Sequence, residues 1–239
     1  MITVDLERLR IEPGARVLDL GCGSGRHTDA VARLTHVIAI GMDISLADVL
    51  KAKKRLLYAE SLGVQGGGPW GLLVADITAL PFKDNVFDCV ICSEVLEHVP
   101  RQDAAVDEAV RVTRPGKDLA ISVPRYLPER ICWALSHDYH KVNNGHIRIY
   151  KKKELLALLK TAGLKKWALH FAHSFHTPFW WLKCLVGPER TDSSLVNLYH
   201  RFLVWCIMKR NKSARLVEHM LNPLLGKSLV LYLRKERHA

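Results

Sequence analysis

No stretch of this sequence is apolar enough to cross a bilayer. Across 239 residues no window approaches 18 uncharged apolar positions, so no membrane-spanning helix is expected. Residues 1–10 alternate acids and bases among apolar residues and lack the continuous apolar run of a secretory signal. Cysteine is sparse: six, scattered at 22, 89, 92, 132, 184 and 206. Cys89 and Cys92 have C-x-x-C spacing, but three positions apart on a strand they face opposite sides. Zinc or redox chemistry is therefore not expected there, and the thiols read as reduced and buried. No metal site is expected. Acids are scarce in one part only. Residues 146–239 hold 18 Lys and Arg against 5 Asp and Glu, a net +13, whereas residues 1–145 hold 17 against 19, a net −2. The chain is 49% apolar, enough for a substantial core in one domain with an elaboration, and a cytoplasmic enzyme is expected.

What is present begins at Val17-Leu18-Asp19-Leu20-Gly21-Cys22-Gly23-Ser24-Gly25. An apolar run enters, an acid interrupts it, and glycines alternate at Gly21, Gly23 and Gly25. The pattern predicts a buried strand, a tight turn and the start of a helix, with backbone open to a ligand. A dinucleotide site competes, but its G-x-G-x-x-G pattern requires a third glycine at position 26, which is Arg26. Three more apolar runs end in polar residues: 36–42 in Asp43, 72–75 in Asp76-Ile77, and 87–92 in Ser93-Glu94. Any one of these acids taken alone can be a helix cap or turn residue. Their recurrence at the carboxyl ends of successive strands marks the edge where open α/β sheets bind ligands.

On these residues the chain resembles the class I S-adenosylmethionine (SAM)-dependent methyltransferases. The likeness is to the methyltransferase type 11 group that includes ubiquinone and menaquinone C-methyltransferases and many natural-product and lipid methylases. Further matching segments are Gly41-Met42-Asp43-Ile44-Ser45, Ala75-Asp76-Ile77 through Phe82, Asn85 through Val90, and Glu94-Val95-Leu96-Glu97-His98-Val99, with a weaker one at Arg114-Pro115-Gly116-Lys117. The resemblance covers about residues 14–164. It implies SAM as cofactor and S-adenosylhomocysteine as product. Asp19 and the turn of Gly21, Cys22, Gly23 and Gly25 would hold the methionine end. Asp43 would take the ribose hydroxyls, Ile44 would pack on adenine, and Asp76 with Ile77 would receive the adenine amino group. Ser93 and its turn would lie beside the sulfonium.

The expected fold is α/β: a doubly wound, Rossmann-like sheet of seven mostly parallel strands with an antiparallel last strand. Strands are expected near 16–20, 36–42, 71–75, 87–92, 118–123, 165–173 and 228–235, and helices near 25–34, 45–62, 103–113 and 151–162. Residues 1–174 and 226–239 form the expected methyltransferase domain, and 175–225 a helical insertion between the last two strands. Its apolar residues recur at three- and four-residue spacing, with Trp180 and Trp181 at its front. They read as the insertion's own core, as a lid over an apolar substrate site, or as a surface resting on anionic lipid.

The segment from Val123 to Tyr150 leaves the sheet at the ligand edge and reads as a long loop rich in His and Tyr. Glu94, Tyr126, Arg148, Tyr150, Trp180 and Trp181 are the expected substrate-facing residues. His98, His140 and His146 are the candidate bases for a hydroxyl acceptor, with Glu94, His137 and Asp138 behind them. Glu97 is read as facing either the site or solvent. The acceptor class expected is small, lipid-like or glycan-like, methylated at O or C. An RNA target suits the basic tail, but Ser93-Glu94-Val95-Leu96 replaces the Asn/Asp-Pro-Pro-aromatic turn of base N-methylases. A SAM-binding module without catalysis is the other alternative.

Overall fold

The computed structural model describes residues 2–139, 145–209 and 212–237. Seven strands form one sheet in the order β3-β2-β1-β4-β5-β7-β6. They are β1 (Arg16–Leu20), β2 (Ile38–Asp43), β3 (Trp70–Val74), β4 (Phe87–Ser93), β5 (Thr113–Pro124), β6 (Leu164–Ala172) and β7 (Ser228–Lys235). The first five are mutually parallel, and β7 lies antiparallel between β5 and β6. The helices are α1 (Arg26–Ala32), α2 (Leu46–Ser61), α3 (Gln102–Val112), α4 (Tyr126–Leu135), α5 (Lys152–Thr161), α6 (His176–Val186), α7 (Ser194–Met208) and α8 (Lys212–Leu225).

The central strands are apolar on both faces because helices cover both. Leu18, Leu20, Val90, Leu119 and Leu231 pack with Ala105, Val106 and Ala109 of α3 and Leu155 and Leu159 of α5. Val17, Ile91, Ala120, Val230 and Tyr232 face the other way, onto Val31 of α1 and Leu56 of α2. Cys92 belongs to the first layer and Cys89 to the second, so their C-x-x-C spacing brings no two thiols together. Strand order reverses between β1 and β4, which opens a crevice beyond their carboxyl ends.

Two elements depart from expectation. Residues 126–135 are helical, not loop. Pro128 sits within the first turn of α4, where an amide proton has no partner to lose. Strand β5 starts five residues early, at Thr113, with Thr113 opposite Phe87 and a register shift before Cys89 pairs Asp118. The connection between β6 and β7 carries α6, α7 and α8. Among the described residues no helix is long and apolar enough to cross a membrane.

Candidate active site

A cavity of about 600 Å³ opens at the carboxyl ends of β1 to β4. Its walls are the turn Gly21-Cys22-Gly23, the β2 end Asp43-Ile44-Ser45, the β3 end with Asp76 and Ile77, and the β4 end with Ser93, Glu94 and His98. Asp43 ties two walls together: its carboxylate accepts from the Gly23 amide at 2.8 Å and the Ser45 amide at 2.9 Å. Asp76 accepts from the Thr78 amide and hydroxyl, at 2.8 and 2.9 Å. Those bonds hold its carboxyl below the usual carboxylate range. Ile44 projects an exposed side chain along the rim, 72% accessible. A Cβ built on Gly23 meets nothing within 4 Å, so the turn presents open backbone to the cavity.

Two motif residues stand behind the wall. Asp19 is 2% exposed and accepts from Thr28, at 2.8 Å from the amide and 2.6 Å from the hydroxyl. It thereby pins the first turn of α1 to β1. Burial raises its pKa to about 7 against the opposing Thr28 bonds. Gly25 does not line the cavity; it caps α1, where a Cβ would lie 2.7 Å from that of Ala52 in α2. His27, absent from the sequence reasoning, does line it, and its Nε2 accepts from the Thr3 and Val4 amides at 3.1 and 3.3 Å. Burial depresses its pKa to about 4, so the ring is neutral near pH 7.

Beside this cavity lies a smaller chamber of about 130 Å³, walled by Glu94, Glu97, His98, Tyr139, His146, Trp180 and Lys227. Glu94 and His98 face both spaces. Glu94 occupies a left-handed backbone conformation at φ 58°, uncommon for a residue with a side chain. Its amide bonds the Ser122 carbonyl at 2.9 Å, and its carboxylate accepts from the Ser122 hydroxyl at 2.8 Å. Glu97 does not face solvent: the short 3-10 turn Leu96–His98 points it inward, and it is fully buried. Burial, reinforced by the charge of Glu94, pushes the Glu97 carboxyl well above its ordinary range. Burial also raises that of Glu94.

Glu129 of α4 organises the far side. It meets His146 Nδ1 through one oxygen and accepts from Lys227 Nζ at 3.2 Å through the other. The Tyr139 hydroxyl donates to it at 3.4 Å. Burial alone would raise Glu129, but the His146 bond and the Lys227 charge outweigh it and hold the pKa at about 2. Neither Glu129 nor Lys227 figured in the sequence reasoning.

The remaining expected residues divide. Trp180 stands on the chamber wall, whereas Trp181 donates from its indole to the Pro128 carbonyl at 3.1 Å and fastens α6 to α4. Arg148 does not face either space; it donates to the Val99 carbonyl at 2.6 Å and the Pro100 carbonyl at 3.0 Å. Tyr150 is buried and donates to Leu96 O and Gln102 Oε1, at 3.2 and 2.5 Å. Together they brace the turn that carries Glu97 and His98. Tyr126 starts α4 under the Lys151 ammonium, 6.0 Å from its ring centre, away from both spaces. His140 lies outside the described residues.

Residues 18–121 match the family described as "Methyltransferase domain". Among curated relatives, the chain is 29% identical over 173 residues to the 27-O-demethylrifamycin SV methyltransferase of Amycolatopsis mediterranei, covering 72% of this chain and 62% of that protein. It is 28% identical over 196 residues to cycloartenol-C-24-methyltransferase 1 of Oryza sativa subsp. japonica, 80% of this chain and 55% of the relative. To the ubiquinone biosynthesis O-methyltransferase of Xylella fastidiosa it is 29% identical over 198 residues, 76% of this chain and 77% of the relative. Among solved structures, the [4+2]-cyclase SpnF superposes with a TM-score of 0.62 at 21% identity, covering 96% of this chain and 78% of that one. A SAM-dependent methyltransferase from Aquifex aeolicus gives 0.57 at 14% identity, with 95% and 86% covered. The structural neighbours share the fold, and the matched domain spans the segments that line the cleft. Residues 18–121 thus carry a methyltransferase domain, and with the named methyltransferase relatives this supports a class I SAM-dependent methyltransferase with SAM as methyl donor.

Proposed function

We propose that this chain transfers the methyl group of SAM to an oxygen or carbon of a small or amphipathic acceptor of lipid, isoprenoid or glycan type. One observation carries this: a cofactor-sized cavity and a second, aromatic-walled chamber share Glu94 and His98 as a common wall. Relatives named for a rifamycin, a sterol precursor and ubiquinone biosynthesis support the acceptor class.

The residues present suit the cofactor. Asp43 and Asp76 offer acceptors for ribose hydroxyls and an exocyclic amine, Ile44 and Ile77 offer apolar faces for a base, and Gly23 leaves the turn open. When bound, SAM supplies a methyl group already activated on a sulfonium. The protein's task is then alignment, water exclusion and, for a hydroxyl acceptor, proton removal. Trp180 and Tyr139 wall the chamber with apolar surface, and Glu94 and His98, which line it too, would receive the proton. In this proposal α6 serves as the roof, and the basic, apolar surface of α7 and α8 rests on anionic lipid.

The test is incubation with methyl-labelled SAM and fractionated small-molecule and lipid extracts, followed by identification of the labelled product. Asp43→Ala removes two charge-assisted acceptor positions, each of roughly 1.5–3 kcal/mol, so SAM affinity should fall about a hundredfold or more by calorimetry. Wild-type affinity in that variant would remove Asp43 from the ribose site. Labelled RNA with no labelled small molecule would favour the nucleic-acid alternative.

A further inference from the structure

One carboxyl group on the chamber wall has no partner among the described residues. Glu94 has Ser122, while His146, Lys227 and Tyr139 all meet Glu129. Glu97 is fully buried, and neither of its oxygens finds a hydrogen-bond partner in another of the described residues. A buried polar group left unpaired costs stability, so the fold gains nothing from it there. Folds break this rule chiefly at functional sites.

The group is nonetheless held in place. The Ile147 amide donates to the Glu97 carbonyl at 3.0 Å, and Arg148 and Tyr150 brace the same turn through the Val99 and Leu96 carbonyls. Glu97 lines the small chamber and not the cofactor-sized cavity, whereas Glu94 and His98 line both. Its surroundings restrict what it can receive. Burial and the charge of nearby Glu94 favour its protonated form, which offers an O–H donor and a C=O acceptor side by side. A hydroxyl group can accept from the first and donate to the second. An ammonium group would share about 130 Å³ with the Lys227 ammonium, and a carboxylate would share it with Glu94 and Glu97. Trp180 and Tyr139, edge to face at 5.8 Å, supply apolar surface for the carbon frame that carries the hydroxyl.

We propose that Glu97 anchors a hydroxyl group of the acceptor that is not itself methylated, and so selects an uncharged, hydroxyl-bearing head for the chamber. The occupant is the acceptor of the proposed transferase function, on which the assignment rests. Held at Glu97, the acceptor presents a neighbouring atom toward Glu94 and His98, the wall shared with the cofactor-sized cavity. Glu97 positions and selects; it takes no proton in the transfer.

The experiment titrates the full chain, with and without S-adenosylhomocysteine, with phenol, toluene and benzylamine as probes. Tryptophan fluorescence and saturation-transfer NMR are the readouts. Phenol and toluene match in size and differ in the hydroxyl. The ratio of phenol to toluene affinity should fall at least about tenfold in Glu97→Met. It should stay within about threefold of wild type in Glu97→Gln, which keeps a donor and an acceptor. The same ratio in Glu97→Met as in wild type, the result expected if Glu97 faces only water, overturns the subsite. So does binding of no probe to the folded wild type, a result that needs no variant to fold. Benzylamine bound more tightly than phenol, and lost in Glu97→Gln, overturns it in favour of an ammonium. Urea unfolding reads a merely structural role. The Glu97→Met midpoint should equal or exceed that of wild type, because an unpaired polar group is gone; a lower midpoint with an unchanged affinity ratio assigns Glu97 to the fold alone. The expected ratios in a chain that labels no acceptor keep the subsite and remove the proposed function. A labelled product without a free hydroxyl, formed as fast by Glu97→Met as by wild type, keeps the function and removes the subsite.

Discussion

The Asp19 carboxyl group accepts two bonds from Thr28 and is nearly inaccessible, and its pKa still rises to about 7 because burial dominates. The sign of the consequence is fixed by linkage. Below the ordinary value of 3.8 both folded and unfolded chains hold the proton. Between 3.8 and about 7 only the folded chain holds it, so this residue lowers stability progressively as pH rises, and above about 7 the penalty is constant. Asp19→Asn removes the titration and keeps the shape. Its stability relative to wild type should therefore improve between pH 5 and pH 8, by roughly 2–3 kcal/mol at about 1.4 kcal/mol per unit. Urea unfolding at the two pH values measures it. An unchanged difference between the two proteins at both values would show that Asp19 is already ionised in the folded chain.

Among the elements, the glycine turn separates two jobs that the sequence presents as one motif. Gly23 has φ 52° and open space where a Cβ would stand, whereas Gly25 has φ 75° and Ala52 of α2 pressed against it. Gly23→Ala should cost only the left-handed backbone penalty, about 1–2 kcal/mol, and impair SAM binding. Gly25→Ala adds a clash between α1 and α2 of about 1–3 kcal/mol and should show the larger drop in denaturant midpoint. Equal midpoints would mean that α2 yields freely. Strand ends and motif acids were legible because local patterns specify them: Arg16–Leu20 and Ser228–Lys235 fall at their expected bounds. What was not legible depends on distant partners. Residues 126–135 looked like loop because their apolar face is recognised only once Cys184, Trp180 and Trp181 of α6 lie against Cys132 and Trp133. Glu129 lies in that same stretch and carries no local mark of its role. It becomes a buried hub only because residues 146 and 227, from two other segments, converge on it. Glu97 could not be placed inward until the 3-10 turn fixed its direction, and Arg148 and Tyr150 had no visible reason to brace that turn.

Over the whole molecule, charge and apolar exposure coincide. Of the net +13 of residues 146–239, the connection 175–225 carries +4, seven Lys and Arg against three Asp and Glu, and its helices leave large apolar side chains in solvent. On α8, Leu216, Met220 and Leu224 recur every four residues and are all exposed, with Arg215 alongside. On α7, Leu198, Trp205 and Met208 are exposed, with Arg201 on the same helix and Lys209 just beyond its end. A contiguous apolar stripe flanked by cations is the composition of a helix lying in the headgroup layer of anionic membranes. Each lysine or arginine near such a surface contributes about 1 kcal/mol, screened within about 8–10 Å at ordinary ionic strength. The chain should therefore sediment with vesicles containing phosphatidylserine or phosphatidylglycerol, poorly with neutral phosphatidylcholine vesicles, and progressively less as salt rises. Met220→Asp with Leu224→Asp should release it at any salt while leaving the unfolding midpoint within about 0.5 kcal/mol of wild type, because both side chains already stand in water. Equal sedimentation with neutral and anionic vesicles would leave the apolar stripe and remove the charge component. No sedimentation with either at low salt would mean that α7 and α8 serve something other than a lipid surface.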